Sequence, residues 1–370
     1  MQSPVWQLRL SWSDDPKTTM SITWQSREPL SQPTAQYGEG GALSQTAVAR
    51  RIRYAQETGP LYQVTLRNLT PGATYSYRVG DAGKGWSEAH TFRTAPATPP
   101  ARFVFTAFAD HGVTPAAKQN VRRVLAGEKP AFHLIMGDLS YANGNQPIWD
   151  DWFELLEPLA SQVPVMVCPG NHEDERDIRF ATYLARFALP EKELYYRFDY
   201  GNTRFILFNS QDFRDAEQLR WFERELRKAR RDSMVRWVIV AMHHPLYSST
   251  VRRLNDTARI AVLQPLFDKY RPDLVLLGHH HNYERTYPLL GGKPVVRHPN
   301  RYRQGQGVIY VTSGGGGKSL YDLTPEQPAF TAKREKRYQY LRITVSDKSL
   351  RVECHRTEDN SLLERFEIVR

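Results

Sequence analysis

The run Phe132-His133-Leu134-Ile135-Met136-Gly137-Asp138-Leu139-Ser140-Tyr141 reads as a short buried strand that ends on a carboxylate, with a phenol three residues later. Short apolar runs of this kind suit strands covered on both faces of a sheet. Four other segments repeat the pattern. Phe103-Val104-Phe105 leads to Asp110-His111-Gly112, and Pro164 to Val167 leads to Gly170-Asn171-His172-Glu173. Trp237 to Ala241 leads to His243-His244, and Leu274 to Leu277 leads to Gly278-His279-His280-His281. Ligand sites in open α/β sheets form just beyond the carboxyl ends of the strands. Five polar clusters at five strand ends therefore predict one crevice.

Each cluster taken alone has a bland reading. Gly-Asp after a strand is a common turn. Gly-Asn-His-Glu also reads as a helix start, with Asn171 as cap and an acidic first turn. His279 to His281 also fits a solvated loop. Yet seven of the eleven histidines fall in these runs, and chance does not gather them at five strand ends. The donors suit two metal ions. One bridging carboxylate suffices to hold a pair roughly 3.5–4 Å apart, a spacing that clamps both oxygens of an in-line displacement. Imidazoles suit Zn, Fe and similar ions, while carboxylates suit harder ones. A phenol with a pKa of about 10 loses its proton at neutral pH only to a strong Lewis acid. Tyr141 thus points to a trivalent ion such as Fe(III), or else is an aromatic packed beside the crevice; chemistry alone leaves both open.

In order, the blocks resemble the purple acid phosphatases, within the metallophosphoesterase superfamily. They are Asp-x-Gly at Asp110-Gly112, Gly-Asp-x-x-Tyr at Gly137-Tyr141, Gly-Asn-His-Glu at Gly170-Glu173, Val-x-x-His at Val240-His243 and Gly-His-x-His at Gly278-His281, followed by Tyr283-Glu284-Arg285. Tyr141 separates this family from plain metallophosphoesterases, whose first block is Asp-x-His. The resemblance implies that Asp110, Tyr141 and His281 hold Fe(III), that Asn171, His243 and His279 hold a divalent ion (Zn, Fe or Mn), and that Asp138 bridges them. It implies that His172 faces the phosphate and stabilises or protonates the leaving oxygen. His244, His280 and His111 fall outside the ligand set. The implied reaction is acid phosphatase chemistry, hydrolysis of phosphate monoesters by in-line attack of a metal-activated hydroxide. A phosphodiesterase is the nearest alternative, and a surface-binding module with a relic catalytic domain is the alternative of another class. Many plant members carry two histidines nine and ten residues beyond the fourth-block ligand. Arg252 and Arg253 stand at those positions here. Arginine matches phosphate oxygens with a fixed fork of donors, so the pair either binds substrate or forms a solvated loop.

The first 97 residues have a different character. Leu8 to Trp12 and Met20 to Trp24 alternate apolar and polar side chains, as half-buried strands do. With Tyr62 to Leu66, the turn Thr70-Pro71-Gly72 and Tyr75 to Val79, they predict a small all-β sandwich. Leu66-x-x-Leu69-x-Pro71-x-x-Thr74-Tyr75-x-Tyr77 resembles a fibronectin type III repeat. Its role is read as a structural spacer, and Pro96 to Pro100 as the linker. Residues 98–370 alternate strands and helical patterns. Ala216 to Arg230 is a predicted amphipathic helix; Tyr195 to Phe208 and Tyr338 to His355 are predicted hairpins. This fits the α/β/β/α four-layer sandwich that the resemblance implies. Gly314 to Gly317 lacks the spacing of a phosphate loop and reads as a strand-end loop beside the crevice.

A net charge of +10 would draw anionic phosphate esters. No basic–aromatic stripe signals nucleic acid, and no apolar stretch is long enough to span a membrane. No signal peptide opens the chain, and a secreted or periplasmic home follows from the resemblance alone. Cys168 and Cys354 do not fix the compartment; substrate identity and oligomeric state stay open.

Overall fold

The computed structural model describes residues 4–251 and 253–370. Strands Val5–Ser11, Met20–Ser26, Leu61–Leu66 and Arg50–Ile52 form one antiparallel sheet, in the order Val5–Ser11, Met20–Ser26, Leu61–Leu66, Arg50–Ile52. Thr34–Glu39, Gln45–Val48, Thr74–Asp81, Gly85–Trp86 and His90–Arg93 form the second. The apolar positions expected inside are buried, with Leu8, Leu10, Ile22, Trp24, Tyr77 and Val79 in the core, but the first two strands are not half-buried as their alternation suggests, because Arg9, Ser11, Ser21 and Thr23 are covered as well.

The remainder is built on two seven-stranded sheets. In the first, Arg102–Phe108, His133–Met136 and Val165–Cys168 run parallel. Gln339–Ser346 pairs antiparallel with Arg102–Phe108 and continues into Ser349–Arg356 and Leu362–Val369. In the second, Thr203–Leu207, Trp237–Ala241, Leu274–Leu277 and Tyr310–Ser313 run parallel. Tyr196–Tyr200 closes one edge as the predicted hairpin arm, paired antiparallel with Thr203–Leu207. Strand side chains alternate between faces, and the cores follow that period. Phe205, Leu207, Ile239, Ala241, Leu274 and Leu276 face the core shared with the first sheet. Ile206, Phe208, Val238, Val240, Val275 and Leu277 face helices Ala216–Arg231 and Thr257–Tyr270. Phe105 and Phe205 meet between the sheets, edge to face at 5.2 Å. Helices Pro115–Ala126 and Gln146–Ala160 cover the first sheet. The result is the four-layer α/β/β/α sandwich. No helix among the described residues is long and apolar enough to cross a membrane.

The helix predicted over Ala216 to Arg230 begins at Asp215, whose carboxylate accepts from the Gln218 amide at 2.7 Å. Such a cap satisfies one of the unpaired amides of the first turn. Cys168 and Cys354 are both free thiols, buried in the core.

The N-terminal sandwich is more than the spacer its sequence suggests, because buried polar groups tie it to the α/β layers. Ser11 donates to the Ala188 carbonyl at 2.7 Å, and the Tyr77 hydroxyl to the Ser161 carbonyl at 2.6 Å. Arg9 donates to the Arg186 carbonyl, while Arg186, fully buried, donates to Asp150 at 2.9 Å. Trp12 inserts its ring against Phe132, Phe198 and Tyr200 of the α/β layers, at 5.7–5.8 Å between centroids. Truncating a fully buried Trp costs about 3–5 kcal/mol. Trp12→Ala should therefore lower the unfolding free energy of both parts together. Denaturant melts read by probes in each part would check this; a loss confined to the sandwich would contradict the shared core.

Candidate metal centre

The clustered side chains follow the strand ends in the order anticipated. Asp110 comes two residues after strand Arg102–Phe108, Asp138 two after His133–Met136, and Asn171 three after Val165–Cys168. His243 and His279 each come two residues after their strands in the second sheet. Oxygen donors thus descend from one sheet and nitrogen donors from the other, and the two sets meet across the seam. The turns that do this are tight. Asp110, Asp138, Tyr141 and His279 all have positive φ, between 51° and 67°, a region unfavourable for side chains other than Gly. Gly137 at φ 79° has no alternative residue, since a Cβ there would stand 2.7 Å from both the Gly170 nitrogen and His243 Nδ1.

Two groups of donors are close enough to hold ions. In one, Asp110, Asp138 and His281 bring ligand atoms within 4.8 Å of one another; in the other, His243, His244 and His279 do so. Tyr141 joins the first: its hydroxyl lies 3.1 Å from Asp110 Oδ1 and 2.9 Å from His281 Nε2. Asp138 links the groups, with Oδ1 3.2 Å from His243 Nε2. Asn171 has a buried side-chain oxygen that meets no donor among the described residues, and a buried acceptor without a donor fits a role as a cation ligand.

The surroundings orient these donors. His243 Nδ1 lies 2.8 Å from the Met136 carbonyl and His281 Nδ1 2.7 Å from the Ser319 carbonyl. A carbonyl only accepts, so Nδ1 carries the hydrogen and Nε2 faces the cluster, as outer partners do for metal-bound imidazoles. Burial lowers the His243 proton affinity, but the Asp138 and Asp110 carboxylates raise it more. Burial alone would raise Asp138; His243 and His172 hold it below the usual carboxylate range. The two shifts are those of an imidazole set against carboxylates. His279 is driven far below its ordinary value by burial and by His243, His244 and Arg253, which keeps the ring neutral.

His172 is partly exposed beside the cluster. Its Nδ1 donates to Asn143 Oδ1 at 2.6 Å, and its Nε2 points to Asp138 Oδ2 at 3.7 Å. Arg253 reaches the cluster: its guanidinium contacts both ring nitrogens of His279 and stacks 5.6 Å from the Tyr321 ring centroid. Arg252 lies outside the described residues. His111, by contrast, is structural. Its Nε2 donates to the Ala117 carbonyl at 3.0 Å, Trp152 donates to its Nδ1 at 3.0 Å, and burial pushes it down to about 4. His280 is buried and belongs to neither donor group. His244 comes closer to the imidazole group than its sequence suggested, although its Nδ1 is engaged by Ser210 Oγ at 2.9 Å.

Three residues escaped sequence reasoning. Glu173 was visible only as an acidic first-turn residue. It is fully buried, and its carboxylate accepts from the backbone amides of Asp138, Leu139 and Gly170 at 2.7–2.8 Å. The helix start expected there is a 3₁₀ turn over Asn171–Glu173 with Gly170, not Asn171, at the cap position. Tyr321 stacks on His281 at 4.1 Å, and Lys318 lies over the ring of Tyr141. Neither belonged to a strand-end pattern. The expected glycine loop does border the crevice, with Gly316 N–H donating to the Ala109 carbonyl at 2.9 Å.

A four-layer sandwich with metal-capable groups at the facing sheet ends defines a metallophosphoesterase. The family profile described as Calcineurin-like phosphoesterase matches residues 103–283. The profile of the purple acid phosphatase N-terminal domain matches 5–94, and that of the iron/zinc purple acid phosphatase-like protein C matches 307–365. Acid phosphatase type 7 of Homo sapiens is 30% identical over 383 residues, spanning 92% of this chain and 84% of that protein. Purple acid phosphatase 22 of Arabidopsis thaliana is 31% identical over 374 residues, spanning 94% and 81%. The solved structure of purple acid phosphatase PPD1 from Lupinus luteus seeds shares the fold, with a TM-score of 0.90, 23% identity and coverage of 99% of this chain and 74% of that one. The chain belongs to the purple acid phosphatase family. It is an enzyme, a metal-dependent phosphatase of a family that works with two ions.

Proposed function

We propose that this enzyme hydrolyses phosphate monoesters by in-line displacement, with a preference for acidic pH. The position of Asp138 carries the reading, one carboxylate set between an oxygen-rich group and an imidazole group. In this reading Asp110, Tyr141 and His281 hold Fe(III), Asn171, His243 and His279 hold a divalent ion (Zn, Fe or Mn), and Asp138 joins them. When bound, the two ions supply Lewis acidity that neutralises phosphoryl oxygens and activates water as nucleophile. His172 acts on the leaving oxygen: Asn143 fixes its Nδ1–H, so Nε2 is the atom that presents or withholds a proton at the cluster. Arg253 binds the substrate's phosphoryl oxygens through its planar guanidinium fork. Arg252 has the same role on sequence grounds alone. Residues 1–97 form the buttressing sandwich and 98–370 the catalytic unit, and the enzyme works in a secreted or periplasmic setting on small phosphate esters.

Matched chromogenic aryl mono- and diesters, assayed with metal-loaded protein from mildly acidic to neutral pH, test the reaction. Faster monoester turnover supports it. Faster diester turnover makes the enzyme a phosphodiesterase, and no turnover of either removes the reading. A purple colour from phenolate-to-Fe(III) charge transfer, with metal analysis, tests the ligands. A colourless, iron-free active enzyme that is lost on chelation assigns Tyr141 to packing.

The imidazole group makes a further expectation specific. His243→Ala should lose one of the two bound ions, because it removes the Nε2 that faces Asp138. His244→Ala should keep both, with at most about a 10–100-fold loss of affinity as an outer partner. Metal content after dialysis reads the difference; the reverse result would make His244 the ligand.

A further inference from the structure

The glycine run brings a cation to the centre that the proposed reaction does not use. A Cβ on Gly314 would stand 2.2 Å from the His280 carbonyl oxygen, on Gly316 2.2 Å from that of Ala109, and on Gly317 2.3 Å from that of His111. Those approaches admit no side chain. The run is therefore pressed, backbone against backbone, onto the turns that carry Asp110 and His279. Lys318 is the first residue after it, and its own N–H donates to the Asp110 carbonyl at 3.0 Å. The root of this side chain is thus fixed to the backbone of a proposed ligand. Its ammonium nitrogen lies 4.5 Å from the centroid of the Tyr141 ring. Gly112, at φ 67°, borders the stem: a Cβ built there would lie 3.4 Å from Tyr141 Cδ2 and 3.6 Å from Lys318 Cδ, in ordinary contact with both. No carboxylate among the described residues pairs with the ammonium, so the aromatic face is its partner.

A cation over an aromatic face is attracted by the ring's π electrons, and more strongly when the ring carries a delocalised negative charge. We propose that Lys318 is a positioning residue that acts on the metal centre through Tyr141, fixing the ring and stabilising its phenolate electrons. The inference rests on the reading in which Tyr141 holds Fe(III). In the charge-transfer transition an electron leaves the ring beneath the ammonium and moves to the iron. The positive charge opposes that departure, so Lys318 places the band at higher energy. The same charge favours a further electron on the neighbouring iron and raises its reduction potential.

The test uses the full chain loaded with iron and a divalent ion, as wild type, Lys318→Met, Lys318→Gln and Lys318→Arg. The readouts are iron content, the visible spectrum, and the midpoint potential titrated with a chemical reductant. Met and Gln should move the band to longer wavelength by on the order of ten nanometres and lower the potential, with iron content unchanged. Arg should restore both, because it keeps the charge. An unmoved band in the Met and Gln variants overturns the inference. So does an equal displacement in the Arg variant, which would assign the change to packing rather than charge. Iron-loaded wild type without a visible band removes the Tyr141–iron reading, and this inference with it.

Discussion

Asp138→Asn should lower kcat/KM for an aryl phosphate by about 10³-fold or more, since two-metal clamps are worth several kcal/mol at the transition state. The amide keeps the shape of the side chain and its acceptor oxygen, so the His172 N–H bond to Oδ1 at 3.0 Å can survive. What disappears is the negative charge between the two donor groups. The fold should therefore persist while metal content falls from two ions toward one. Steady-state kinetics with metal analysis and a thermal melt separate these effects. Retention of both ions and of turnover would show that Asp138 does not bridge.

The second large effect belongs to Glu173, which need not touch either ion. Three backbone amides converge on its carboxylate, two on Oε2 and one on Oε1. Glu173→Ala leaves all three buried without an acceptor. Each such group costs about 1–3 kcal/mol, so the variant should lose about 3–5 kcal/mol, in the range of the most disruptive single substitutions. The turn carrying Asp138 would also lose its anchor, weakening metal binding about 10–100-fold. Glu173→Gln distinguishes the cause. Its oxygen can take the place of Oε2 and keep the Asp138 and Gly170 bonds, but its NH₂ then meets the Leu139 N–H. An intermediate stability for Gln is expected in urea unfolding. Equal stability of all three proteins would mean that the turn is held by other contacts.

The strand ends were legible because a two-sided parallel sheet leaves a simple trace: a few apolar residues, then polar chemistry, with a glycine between them before Asp138, Asn171 and His279. Asp110, Asp138, Asn171, His243 and His279 all sit where that trace places them. The hairpins at Tyr196–Leu207 and Gln339–Arg356 were legible through alternation and turn residues. Glu173 and Lys318 were not, for different reasons. Glu173 acts by receiving hydrogen bonds from main-chain amides, which any sequence supplies, so nothing in the partners' side chains marks it. Lys318 depends on a long-range approach between residues 141 and 318, and no local period encodes that. The buttressing role of the sandwich was hidden similarly. Trp12 looks like an ordinary inward strand residue, and only the fold reveals that its neighbours belong to the other half of the chain. His244 illustrates a further limit: only the family block singles out His243 from its neighbour in the sequence, and the block does not show that His244 also comes within ligand distance of His243 and His279.

The division of donors between the sheets has a consequence for how the centre comes into being. The carboxylates, phenol and amide are all encoded by residue 171, whereas the imidazoles of the second sheet begin at residue 243 and end at residue 281. The strand Gln339–Ser346, which flanks the Asp110 strand, comes later still. A chain emerging from the ribosome therefore carries only the first half of the binding set from residue 171 until residue 243, and neither proposed ion can be gripped by its full complement until the second sheet docks. Metal capture is in that sense a closing event in the chain's maturation, and an unloaded enzyme would still have to fold on the strength of its two cores alone.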